Sequence, residues 1–183
     1  VIAGARVRLR AIERQDLPRY VAWFNDPEVR RGLAQIFPLS QPLEDQWFEH
    51  TLTLEPHERP FSVDVRRGRG WVHIGSCGLF RFEPYGRNAE LGIMIGEKRF
   101  WDRGYGTQAV RLLLGHAFDT LNLHRVFLRV FASNPRAIRA YEKVGFILEG
   151  RLREDRFADG GYEDTLLMSV LEHEWRAGAG GKG

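Results

Sequence analysis

The residues with the clearest chemical promise lie in two short stretches. In "FWDRGYGTQAVRLLLGHAF" (Phe100–Phe118), two glycines with one tyrosine between them open a segment that has apolar residues at helical spacing and no proline. Gly104 and Gly106 let backbone N–H groups approach a ligand closely, because no side chain intervenes. The first turn of the following helix adds unpaired N–H groups and positive partial charge. Arg103 adds a full charge. Together they suit an anion such as a pyrophosphate, although an ordinary turn before a surface helix has the same pattern. The stretch matches neither common nucleotide fingerprint: no lysine–hydroxyl pair follows the glycines, and no third glycine stands at dinucleotide spacing.

The second stretch is "SNPRAIRAYEKVGF". Asn134 is a strong helix N-cap, and Pro135 is pre-set for the first helical position. Tyr141 follows Asn134 by about two turns, so both project to a similar side. Asn134 and Tyr141 can bind a ligand and move a proton, or can simply cap and pack. Glu90 starts a strand as either a general base or a carboxylate paired with an arginine such as Arg87. Glu142 points to another face, and His124 reads as structural or solvated. Cys77, the only cysteine, lies in the apolar run "HIGSCGLF" and reads as a buried structural thiol. It forms no internal disulfide and no cysteine-rich metal site.

These groups need elements to hold them. "VRLRAI" alternates as a half-buried strand. A helix follows, capped at Asp16, with Leu17, Tyr20, Val21 and Phe24 on one side; Asn25-Asp26-Pro27 breaks it. A second helix is capped near Ser40, with Pro42 in its first turn. After Pro56 come three strand-like runs, then the glycine-opened helix to about Leu121, the strand "HRVFLRVFAS", the Asn134 helix, and two strands around "ADGG". The pattern predicts one α+β domain over 1–175, with a flexible glycine-rich tail over 176–183.

The bulk composition agrees. The chain has 183 residues, 43% of them hydrophobic and 28% charged, with a formal charge of +3. No apolar run is long enough for a bilayer span, and the first residues lack a signal peptide's apolar stretch, so a cytoplasmic place is expected. Arginine dominates the basic residues but is scattered along the chain, which argues against direct nucleic-acid binding.

In order and spacing, "LGIMIG", "RGYGTQAVRLLLGHAF" and "SNPRAIRAYEKVGF" resemble the GNAT (GCN5-related) N-acetyltransferases. More loosely, "VRLRAIERQDLPRYVAWFNDPEV" and "GYEDTLLMSVLEHEW" resemble the subgroup that acetylates ribosomal-protein N-termini. The resemblance implies a mixed, mainly antiparallel sheet flanked by helices, with a splayed strand pair that receives acetyl-CoA, and no metal. It implies that Ile93, Met94 and Ile95 meet the cofactor through backbone groups, that Arg103, Gly104, Tyr105, Gly106 and Thr107 hold its pyrophosphate, and that Asn134 and Ala137 contact its pantetheine side. Tyr141 is then the general acid on the leaving thiolate, and Glu90 a candidate base. Trp23, Phe24 and Phe37, with Trp47, could wall the acceptor site, although residues so spaced equally suit a core. The implied acceptor is a primary amine, foremost a protein N-terminus. The alternatives are a polyamine, aminosugar or aminoglycoside, or a CoA-binding module without catalysis. A homodimer is implied by the habit of relatives. Where the family's phosphate loop usually has Gln or Arg, this chain has Trp101.

Overall fold

The computed structural model describes residues 1–179. Among these residues, eight strands form a mixed, mostly antiparallel sheet flanked by helices. The residues group into two compact units, and the chain passes between them within β4, β5 and α4.

The first unit takes in Val1–Leu79 and Gly92–Leu113. Its strands β1 (Ile2–Ala3), β2 (Val7–Ala11), β3 (Phe61–Arg67) and β4 (Gly70–Glu83, as far as Leu79) pair in chain order, each antiparallel to the last where β1 to β4 meet. Alternation in β2 buries Val7 and Leu9 completely or nearly so. Between β2 and β3 run the helices α1 (Leu17–Asn25), α2 (Pro27–Arg30) and α3 (Gln41–Thr53). Asp26 caps α2 by accepting from the N–H groups of Glu28 and Val29, so the Asn-Asp-Pro break starts a new turn of helix.

α1 begins where the sequence places it, but Asp16 does not cap it. The buried Asp16 carboxylate instead accepts two bonds from Arg10, at 2.7 and 2.8 Å, and others from Ser62 Oγ and the Glu13 N–H. Burial acts to raise its pKa, but these bonds prevail and hold it below the ordinary carboxylate value. Leu17, Tyr20 and Trp23 form the buried face of α1 and cluster with Val29, Phe48 and Met94. Phe24 packs against that cluster only partly.

The second unit takes in Phe80–Leu91 and everything from Leu114 onward. The first half of β5 (Asn88–Ile95) pairs in parallel with β6 (Arg125–Phe131), and β6 continues to β8 (Gly161–Leu171) and β7 (Ile147–Ala158), both antiparallel. The helix α4 (Tyr105–Gly115) enters this unit and continues as one π-helical stretch, His116–Thr120, where an unbroken α-helix was expected. The helix α5 (Pro135–Glu142) follows β6. A further helix, α6 (Glu172–Ala179), takes in Arg176–Ala179, which the sequence reading gave to the tail; the remainder of that tail lies outside the described residues. Cys77 is buried as expected, and burial pushes its thiol pKa up, away from reactivity.

Candidate active site

The second half of β5 and the loop after it carry the residues expected to meet the cofactor's acyl arm and pyrophosphate. The parallel register of β5 with β6 covers only Asn88↔Arg125, Ala89↔Val126 and Glu90↔Phe127. Glu90 is the last residue of this register. Beyond it, Met94 turns its side chain into the core, while Ile93 and Ile95 stay half-buried. The Ile95 carbonyl accepts from the Trp101 indole Nε1 at 2.6 Å. Part of the backbone capacity expected for cofactor is thus already engaged at Ile95.

Gly104 has φ +77°, a left-handed conformation that glycine adopts without strain, and nothing lies within 4 Å of the Cβ it lacks. α4 opens directly after it. The first intrahelical bond runs from the Gln108 N–H to the Gly104 carbonyl, so the N–H groups of Tyr105, Gly106 and Thr107 have no partner within the helix. The Tyr105 ring is buried against Phe100, with centroids 5.7 Å apart, so only its backbone can serve a ligand. Arg103 is exposed beside this turn. Clustered N–H donors, an open glycine and a free guanidinium fit a pyrophosphate.

In the second unit, the Asn134 Oδ1 accepts from the Ala137 N–H at 3.2 Å and so caps α5. That bond occupies the Ala137 donor. Tyr141 is buried, packs edge-on against Phe146 at 5.7 Å, and has its pKa pushed up to about 12 by burial. The hydroxyl is therefore protonated across the physiological range. Glu90 forms an ion pair, though not with Arg87. Arg129 binds both of its oxygens, at 2.9 and 3.3 Å, and Arg81 approaches at 3.3 Å. Arg87, whose φ is +47°, donates instead to Asn122 Oδ1 at 3.2 Å. The Glu90 contact raises the Arg129 pKa.

The proposed acceptor wall is only partly assembled. Trp23 is core: its ring lies 5.1 Å from that of His73 and directly beneath Gly96, where an added Cβ would come within 2.1 Å of the indole. Phe24 is half-buried, Phe37 is 71% exposed, and Trp47 packs edge-on to Tyr20. Sequence reasoning missed the role of Trp101, since nothing in the local pattern signals a bond from a loop indole to a strand carbonyl.

The family model for the acetyltransferase (GNAT) domain matches residues 6–147. The chain is 30% identical over 173 residues to the spermidine N(1)-acetyltransferase of Escherichia coli K12, covering 93% of this chain and 89% of that one. It is 29% identical over 174 residues to the putative ribosomal N-acetyltransferase YdaF of Bacillus subtilis, covering 92% and 93%. Among solved structures, spermidine N-acetyltransferase from Vibrio cholerae in complex with CoA and spermine superposes with a TM-score of 0.85 at 27% identity, covering 94% of this chain and 99% of that one. The chain belongs to the GNAT acetyltransferases and is an N-acetyltransferase that uses acetyl-CoA.

Proposed function

We propose that the acceptor is a small-molecule primary amine, with polyamines the first class to test. The observation that carries this reading is end-to-end similarity to enzymes named for spermidine acetylation, in both sequence and structure. It displaces the protein N-terminus as the leading acceptor.

In the proposed reaction, the N–H groups of Tyr105, Gly106 and Thr107, with Arg103, hold the pyrophosphate. A backbone N–H near Ile93 or Met94 polarises the thioester carbonyl. The neutral amine attacks that carbonyl, the C–N bond forms, and the C–S bond breaks as the electron pair leaves on sulfur. Tyr141 donates its O–H to the departing sulfur. A thiol titrates near 8.5, so a phenol near 12 does not pass its proton downhill. Its main contribution is a hydrogen bond to developing thiolate charge. Glu90 is the proposed receiver of the amine proton, through water, since Arg129 and Arg81 already engage its oxygens. Asn134 holds α5, and with it Tyr141, in place. A homodimer belongs to this proposal, with light scattering as its measure.

One observation favours a second reading, a protein α-amine. From Arg31 to Gln41 the chain has no carboxylate, and Ile36 and Phe37 are exposed there. The acidic residues that follow are otherwise engaged: Glu44 is buried, Asp45 accepts from Gln41, and Glu49 pairs with Arg14. A polycation would find little to pair with there, whereas a peptide carrying one neutral amine needs no such charge. An α-amine also titrates near 8, well below a lysine-like alkylamine near 10.4, and so is more readily neutral.

The test is thiol release from acetyl-CoA across spermidine, spermine, aminosugars, aminoglycosides and ribosomal-protein N-terminal peptides. The proposal expects turnover on a small amine with kcat/KM at least tenfold above any peptide. Turnover confined to peptides establishes the second reading, and binding of acetyl-CoA without turnover on any acceptor removes both.

A further inference from the structure

In the second unit, the sheet face that bears Glu90 also holds two buried side-chain oxygens with no hydrogen-bond partner among the described residues. Residues opposite one another in register project to the same face. Glu90 lies opposite Phe127 of β6, and Arg129 reaches back to it from the next position on that face. Phe131, the next again, lies opposite Thr165 of β8, and Glu163 of β8 lies opposite Arg156 of β7. One face thus runs from Glu90 past Arg129 and Phe131 to Thr165 and Glu163. Val126, Leu128 and Val130 are buried on the other face of β6. On this face Arg129 is exposed, and Phe127 and Phe131 are half-buried.

Glu163 uses only half of its carboxylate. Its Oε1 accepts from Arg156 Nη1 at 3.1 Å, and the Arg156 guanidinium lies 3.8 Å from the centroid of the Phe131 ring. Its Oε2 is buried and unbonded. So is Thr165 Oγ1, on a residue that is 1% exposed. Buried polar atoms in folded proteins are normally paired, and leaving one unpaired costs free energy. Both atoms accept hydrogen bonds, and one of them belongs to an anion. The matching ligand is therefore a cation with several N–H groups, as an alkylammonium with three donors is.

We propose that Glu163, with Thr165, anchors a second, distal ammonium of the acceptor, so that diamines and polyamines are preferred to monoamines. The inference rests on the small-amine reading above and deepens it. It supplies from β8 an open carboxylate oxygen, where the segment from Arg31 to Gln41 has no carboxylate at all. Glu90 does not serve that purpose, because Arg129 and Arg81 already balance its charge. Phe127 and Phe131 are separated by roughly 13 Å along β6. An acceptor that is deprotonated beside Glu90 and also reaches Glu163 is therefore long and extended.

The test is steady-state thiol release from saturating acetyl-CoA with spermidine, diaminooctane and octylamine as acceptors. It is run on the full chain, Glu163→Gln and Thr165→Val, with circular dichroism confirming the fold. In the unaltered protein, diaminooctane should exceed octylamine in kcat/KM by about tenfold or more, the size of a charge-assisted hydrogen bond. Glu163→Gln should remove most of that preference by raising the KM of spermidine and diaminooctane, with octylamine and the KM for acetyl-CoA unchanged. Thr165→Val should do the same to a smaller extent. Equal kcat/KM for diaminooctane and octylamine in the unaltered protein overturns the anchor and leaves the small-amine reading standing. Equal loss on all three acceptors in Glu163→Gln does so too, since a purely structural role would produce it. Turnover of peptides with none of any small amine removes the small-amine reading and the anchor together.

Discussion

The indole of Trp101 donates to the carbonyl of Ile95 at 2.6 Å, tying the start of the glycine turn to the end of β5. The bond spans the residues between the strand groups proposed for the acyl arm and the N–H groups proposed for the pyrophosphate. It fixes the turn to the strand.

Replacing Trp101 with Phe keeps most of the apolar contact and removes the donor. A net hydrogen bond contributes about 1 kcal/mol, so acetyl-CoA should bind roughly fivefold more weakly, with kcat changed much less. Titration calorimetry with acetyl-CoA and steady-state kinetics check the split. An unchanged dissociation constant would assign the bond to loop folding alone.

Tyr141→Phe deletes a hydroxyl and keeps the ring packed on Phe146. If the hydroxyl supports the leaving sulfur, kcat should fall by about 10²-fold while the melting temperature and the KM for acetyl-CoA hold. Glu90→Gln gives the complementary reading. As proton receiver, Glu90 predicts about a tenfold or larger loss in kcat/KM, with the KM for acetyl-CoA unchanged. An unchanged kcat/KM would leave Glu90 as no more than the counter-ion of Arg129 and Arg81.

Gly96→Ala should destabilise the first unit. The new Cβ would lie 2.1 Å from the Trp23 indole, a distance that forces the ring or the strand to move. Overpacking of a filled core costs about 1–3 kcal/mol, and a chain of this length loses roughly 2–4 °C of melting temperature per kcal/mol. Thermal denaturation followed by circular dichroism measures the loss. Combining it with Trp23→Phe, which frees volume, should recover part of it.

Glu44 supplies a pH signature. Burial, with a smaller contribution from the neighbouring Asp45, pushes its pKa up to about 7. The folded state therefore holds a proton that the unfolded chain has lost between about pH 4.3 and 7. Stability from this group is fully present below the unfolded value and declines as pH rises through 7. Glu44→Gln should flatten that decline and raise stability at pH 8 by up to about 3–4 kcal/mol, measured by urea denaturation at pH 5 and pH 8. A variant with the same pH slope as the unaltered protein would contradict the assignment.

The family and the ordered elements were legible in the sequence, because local rules decide them. Alternation placed β2 on one face of the sheet, Pro135 behind Asn134 started α5, and Gly104 and Gly106 opened α4. Each of those signals is carried by residues a few positions apart. The partners of long-range polar groups were not legible. Asp16 had the sequence of a helix cap but serves Arg10 and Ser62, since a buried carboxylate gains more from a charged partner than from a backbone N–H. Glu90 was read beside Arg87, its neighbour in sequence, yet pairs with Arg129 across the β5–β6 register and with Arg81. Trp23 could be wall or core by its spacing, and only its position beneath Gly96 decided for core. The sequence alone therefore determined which segments form helices, strands and a glycine-opened turn. The tertiary structure decided which charges meet, because ion pairs such as Glu90 with Arg129 join residues far apart in the chain.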